Sequence, residues 1–100
     1  VHGNTLGKMA NGISDTPVLT SAKSHLRSEI PLVIGIATND GLSASLENIG
    51  KLINRKNIYF IPFRQDNPIT KPYSLVFEPK YILKTVVEAL DSKQIQPILL

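Results

Sequence analysis

The chain contains no cysteine. That excludes a disulfide scaffold, a thiolate-ligated zinc site and a cysteine nucleophile, and it agrees with a reducing compartment such as the cytoplasm. Long apolar stretches are also missing. The longest, Leu32 to Ala37, is far too short to cross a bilayer, and the opening residues do not have the pattern of a secretory signal. The lysines and arginines leave a net charge of +3, but they never run four together and no aromatics interleave with them. A solvated exterior therefore explains them better than a nucleic-acid surface. Neither GxGxxG nor a GxxxxGK[ST] phosphate loop occurs. No nucleophile–histidine–acid set can be assembled, no carboxylate pair stands at a catalytic spacing, and no metal site is expected. The first residue is valine, not methionine, and the chain is expected to be part of a longer protein.

What is present fits one domain over residues 1–100. The chain is 42% hydrophobic and 19% charged, which places it among globular proteins. Leu6, Met9, Ala10 and Ile13 recur at i, i+3, i+4 and i+7, one stripe of a helix, and Asn4 or Thr5 is expected to cap it. Thr16 and Pro17 open a second helix as cap and first residue, with Val18, Leu19, Ala22 and Leu26 as its stripe and an end near Arg27 or Ser28. Leu32 to Ala37 is continuously apolar and rich in β-branched residues, the pattern of a strand buried on both faces. A third helix is expected from Ser43 to Asn54, with Leu46, Ile49, Leu52 and Ile53 inward. Ile58 to Ile61 is a second strand, stopped by Pro62. Strand, helix and strand make a right-handed βαβ unit. Residues 63–76, with Pro68 and Pro72, have the composition of a long loop. A last helix from Glu78 or Pro79 to Asp91 is expected to bury Ile82, Leu83, Val86, Val87 and Leu90. The apolar tail, Ile95 to Leu100, is an edge strand or a docked arm. A sheet this narrow exposes an edge and an apolar face, so self-association into a homo-oligomer is expected.

In an open α/β sheet, ligands lie at the carboxyl ends of the strands. Two such ends are Thr38-Asn39-Asp40-Gly41 and Phe63-Arg64-Gln65-Asp66. The opening loop Gly3-Asn4-Thr5, which leads into a helix N-terminus, belongs to the same rim. Free amides and the helix dipole at such places attract anions. Each also has an ordinary structural reading: capping for Asn4 and Thr5, a plain turn for Asn39 to Gly41, and a surface position for Arg64 as against a grip on a carboxylate or phosphate. His2 stands beside the opening loop. The residues alone carry the reading no further than an α/β domain with a polar carboxyl-edge site.

The segment Asn4-Thr5-Leu6-Gly7-Lys8-Met9-Ala10-Asn11-Gly12-Ile13-Ser14-Asp15 resembles the signature SANTxxKxAxGxxDxxL of the flavin-dependent Cys decarboxylase and flavin prenyltransferase superfamily, the flavoproteins. Downstream, "IGIATNDG" stands where that superfamily has its PAMN segment. One branch is matched more closely, through "GNTLGKMANGISDTPVLTSAKSHLR", "KNIYFIPFRQDNP" and "QIQPIL". The resemblance implies a flavodoxin-like, three-layer α/β sandwich with a parallel sheet, of which this chain is the carboxy-terminal half. It implies FMN as cofactor, contacted by Gly3, Asn4 and Thr5. Binding is expected to be weak here because the phosphate-holding loop lies in the other half. Thr38, Asn39, Asp40 and Arg64 are implied on the substrate side. Thr38 replaces the methionine of the PAMN segment, and His2-Gly3 replaces Ser-Ala before the asparagine. The branch implies a cytoplasmic oxidoreductase of a sporulating mother cell. It would oxidise a dihydrodipicolinate-type ring, a small dicarboxylate, with NAD(P) carried by a partner chain. The alternative it leaves open is a non-catalytic interaction subunit that uses helix 79–91 and the tail to bind that partner.

Overall fold

The computed structural model describes residues 1–100. Its elements are α1 (Gly3–Ala10), α2 (Pro17–Arg27), β1 (Leu32–Ile34), β2 (Ala37–Thr38), α3 (Ala44–Ile53), β3 (Ile58–Phe60), β4 (Phe63–Asn67), β5 (Lys71–Phe77) and α4 (Ile82–Leu90), with a 3-10 turn at Pro79–Tyr81 before α4. The βαβ unit forms as its sequence dictates. β1 and β3 run parallel, Leu32 beside Ile58 and Ile34 beside Phe60. Ile58, Tyr59 and Phe60 are all buried although successive side chains point to opposite faces, so β3 is covered on both sides. Helices α3 and α4 both pack against it. The result is the flavodoxin-like α/β sandwich. No helix is long and apolar enough to cross a membrane.

Local chemistry sets the helices. The Thr16 hydroxyl accepts from the Leu19 amide at 3.2 Å and Pro17 fills the first position of α2. On α1, Leu6, Met9 and Ala10 turn inward and meet Ile49 and Leu52 of α3 in one core cluster that also holds Ile36, Phe60 and Leu75. Arg55, just beyond α3, reaches back to the C-terminus of α1. Its guanidinium donates to the carbonyls of Ala10 at 2.8 Å and Met9 at 3.4 Å, a cation at the negative end of a helix. Gln94 closes the other edge of β3: its amide accepts from the Phe60 amide at 2.8 Å and donates to the Phe60 carbonyl at 2.7 Å. The tail docks as an arm with a single parallel bridge, Phe63 to Leu99, and Ile95 buried beneath it.

Five expectations need correction. Leu32 to Ala37 is not one strand. The Ile34 carbonyl accepts from Ile61, but the Ile36 carbonyl accepts from Phe77, so the chain changes partners between them. Residues 63–76 are not a loop but the hairpin β4–β5, antiparallel, with Phe63 opposite Phe77 and β2 on its other flank, Ala37 opposite Val76. Asn4 and Thr5 do not cap α1. The helix begins one residue before Asn4, so both lie inside its first turn, and the position before the helix is His2, which makes no capping bond. Leu46 and Ile53 of α3 are exposed, and Ser45, Ile49 and Leu52 face inward instead. Finally, α4 buries Thr85 and Ala89, whose small side chains let it approach the sheet. Ile82, Leu83, Val86, Val87 and Leu90 stay exposed.

Candidate functional site

Where α1 begins, β2 ends and the β4–β5 hairpin closes, the surface sinks into an open cleft of about 400 Å³, within the ordinary size of a small-molecule site. Gly3 and Asn4 form one wall, Thr38, Asn39 and Asp40 the floor, and Asp66, Ser74 and Val76 the far side, with His2 at the lip. The backbone bonds of Val1 to Gly35 and Ala37 set the start of α1 beside the end of β2, and so bring Gly3, Asn4, Thr38, Asn39 and Asp40 to one rim, from segments more than thirty residues apart. Thr5 lies in the same helical turn but does not line the cleft. Arg64 stands outside it. Its backbone pairs with that of Val76, a wall residue, while its guanidinium lies 3.9 Å from the Glu78 carboxylate and its side chain is about half exposed.

The floor is a small polar network. Both the Thr38 hydroxyl and the Ser45 hydroxyl, the latter at 2.7 Å, donate to one oxygen of the Asp40 carboxylate. These bonds, Thr38 first and Ser45 second, hold the Asp40 carboxyl below its ordinary pKa, so it is ionised at neutral pH. Gly3 rests directly on this network. A Cβ there would fall 2.6 Å from the Ser45 hydroxyl and 2.8 Å from the Asp40 carboxylate, so no larger residue fits without displacing them. With no capping side chain, the amides of Gly3, Asn4 and Thr5 have no acceptor within the chain and stand free at the positive end of α1. The acidic side chains that line it are Asp40 and Asp66, no lysine or arginine joins them, and its other polar groups are amides, hydroxyls and the His2 imidazole. No cluster of three or more metal-ligating side chains forms in the chain.

Behind the floor, Gly41 lets the β2–α3 turn press against β5. A Cβ on Gly41 would lie 2.6 Å from two atoms of the buried Leu75 side chain. Gly41→Ala is therefore expected to cost about 1–3 kcal/mol through overpacking, read as a lowered thermal unfolding midpoint.

Sequence reasoning missed Ser74 and Val76, because the segment that carries them had the composition of a loop. It noted Ser45 only as a possible helix cap. The aromatic and β-branched residues Tyr73, Val76 and Phe77, around Leu75, are the signal that marks a strand there.

The architecture and the polar rim are those of a flavoprotein-type α/β domain. Residues 1–91 match the family model described as Flavoprotein, and the chain belongs to that family. Among individual proteins it is similar to the B subunit of dipicolinate synthase from Bacillus subtilis (strain 168), 45% identical over 97 residues, which cover 97% of this chain and 48% of that protein. The crystal structure of the dipicolinate synthase B subunit from Bacillus halodurans C superposes with a TM-score of 0.97 at 48% identity, over 99% of this chain and 51% of that one. The chain thus spans about half the length of the relatives it matches.

Proposed function

We propose that the chain supplies the ring-binding cleft of a B subunit of dipicolinate synthase, serving oxidation of a dihydrodipicolinate-type ring to dipicolinate in the cytoplasm of a sporulating mother cell. Its similarity to two B subunits supports that part of the reading. The observation that carries the site is the convergence of the uncapped start of α1 with Asn4, Asn39 and Asp40 on one polar cleft. Residues 1–100 act in this reading as one domain, the carboxy-terminal part of the flavoprotein fold. The partner is the A subunit of dipicolinate synthase, which carries NAD(P).

The donor set fits a flavin. Free amides at Gly3, Asn4 and Thr5 suit a negatively charged or strongly accepting group. The side-chain amides of Asn4 and Asn39 each donate and accept, which matches the mixed polar edge of the ring. Bound FMN would supply two-electron chemistry. Electrostatics divides the ligands. Asp40 and Asp66 make the cleft unfavourable for a dianion, so the neutral ring belongs between Asn4 and Asn39 over Thr38. The carboxylates of the small substrate belong toward Arg64, the cation next to the far wall and only loosely held by Glu78. Asp40 orients Thr38 and Ser45 in this arrangement. Oxidation of the dihydro ring gives up two electrons and two protons in all; NAD(P)+ on the partner chain would be their final acceptor, taking up the equivalent of one hydride, and one proton would go to solvent.

The test is a fluorescence titration of riboflavin and FMN with the chain. Weak binding of both is expected, with little preference for the phosphate. Asn4→Ala and Asn39→Ala should each weaken it by about three- to tenfold, the value of one hydrogen bond. Flavin that stays unperturbed with or without the NAD(P)-carrying partner, or variants that bind like wild type, would overturn the reading. Capture of that partner by a flavin-inert protein would instead identify a non-catalytic interaction subunit.

A further inference from the structure

We infer, on the reading of the cleft as a flavin site, that the Ser74 hydroxyl is a ligand contact. Together with Asp66 it recognises an imide or amide edge, a carbonyl beside an N–H, on the ring bound there. Ser74 is 4% exposed, yet its hydroxyl makes no hydrogen bond within the chain. No unpartnered side-chain oxygen or nitrogen is sealed inside the fold, so this hydroxyl opens into the cleft that Ser74 lines. A hydroxyl so nearly withdrawn from water calls for a partner, and the chain offers none.

The sheet register supplies its neighbours. Leu75 pairs with Thr38 on one side and with Gln65 on the other. One residue further along each segment, Asn39, Ser74 and Asp66 follow one another across the sheet, and all three line the cleft. Neighbouring strands lie about 4.8 Å apart, so the three fall within the span of one ring system. The pairing slips between Gln65 and Asn67, at Asp66 itself, the kind of irregularity that re-aims a side chain. Asp66 takes part in no salt bridge. Its carboxylate only accepts, the Ser74 hydroxyl can donate, and Asn39 does both. A carboxylate ligand at Ser74 would face Asp40 and Asp66 with no lysine or arginine in the lining. A cation would meet the free amides at the positive end of α1. A hydrocarbon surface would leave both Ser74 and Asp66 without partners, and a lone acceptor would leave Asp66. A neutral carbonyl next to an N–H answers both.

Fluorescence titrations of riboflavin and 3-methylriboflavin with the 100-residue chain test this. In the second flavin a methyl group replaces the imide hydrogen. Wild type should hold riboflavin about three- to tenfold more tightly than the methylated ring, the value of one hydrogen bond. Ser74→Ala should weaken riboflavin by a similar factor. Because the lost hydroxyl bonds to nothing in the chain, its circular-dichroism melt should match wild type. Asp66→Ala should bring the two flavins to equal affinity, a change of preference that a loss of packing does not produce. Riboflavin held through Asn4 and Asn39 but bound equally by Ser74→Ala would overturn this assignment and leave the flavin reading in place. So would a wild type without preference between the two flavins, or an Asp66→Ala chain that keeps the preference. A loss on Ser74→Ala confined to dipicolinate would give the hydroxyl to a carboxylate, and would overturn the assignment too. A wild type that binds neither flavin would fell both readings together.

Discussion

Phe60→Ala is expected to remove about 3–5 kcal/mol of stability, the range for deleting a fully buried aromatic ring. Phe60 is 0% exposed and lies on β3, against which α3 and α4 both pack. Its ring meets Phe63 edge-on, centroids 6.2 Å apart with planes at 70°, an arrangement worth more than area alone. How much is lost depends on whether the site can collapse, and here the backbone holds it open. Ile34 pairs with Phe60 on one edge of the strand, and the Gln94 amide bridges its N–H and carbonyl on the other. The loss should fall toward the upper end of that range. A domain of this size has only about 5–15 kcal/mol in total, so the urea midpoint should drop steeply with little change in slope. A shift equivalent to less than about 1 kcal/mol would show that α3 and α4 close over the gap.

The parallel pair of β1 and β3 was legible because a strand buried on both faces must be apolar throughout, and Leu32–Ile34 and Ile58–Phe60 are. The second helix was legible because Thr16 and Pro17 leave one way to start it. What could not be inferred has a common cause: periodicity reports that a face is apolar and is silent on what it meets. Leu32 to Ala37 is apolar along its whole length, so nothing local shows that Ile36 and Ala37 pair with β5 and not with β3. In α4 the stripe of Leu83, Val86, Val87 and Leu90 looked like a core face, whereas close approach to the sheet selected the small residues Thr85 and Ala89. The β4–β5 hairpin was hidden by its exposed polar residues and two prolines. Its turn did leave a mark: the Asn67 side chain before Pro68 accepts from the amides of Ile69 and Thr70, both at 3.2 Å, the side-chain-closed turn that asparagine favours. Of the cleft, the turn residues Thr38, Asn39 and Asp40 could be found as the end of a strand. Ser74 could not, since a serine on a strand carries no sign of facing a ligand, and neither could Ser45, which lies buried against Asp40 and does not line the cleft.

Asp40→Ala should cost about 2–4 kcal/mol at pH 7, because two hydroxyls lose their common acceptor while they stay buried. Thr38 is 7% and Ser45 2% exposed, so water cannot replace the carboxylate cheaply. The change should spread to the start of α1, since Gly3 packs on the same three side chains. Its pH dependence has a definite sign. The Thr38 and Ser45 bonds depress the folded pKa below the ordinary 3.8, so the unfolded chain takes up a proton first on acidification. The charged group's contribution is complete above that ordinary value and disappears as pH falls through the lower, folded one. Urea unfolding of wild type and Asp40→Ala should therefore differ by the same amount at about pH 7 and pH 5, and the gap should narrow below about pH 4. Asp40→Asn keeps an oxygen acceptor without the charge, so its loss should be intermediate and free of this pH dependence. A gap that widened in acid would mean that the Asp40 carboxylate is held in the fold against its preference, and that the hydroxyls are there for some other reason than to stabilise its charge.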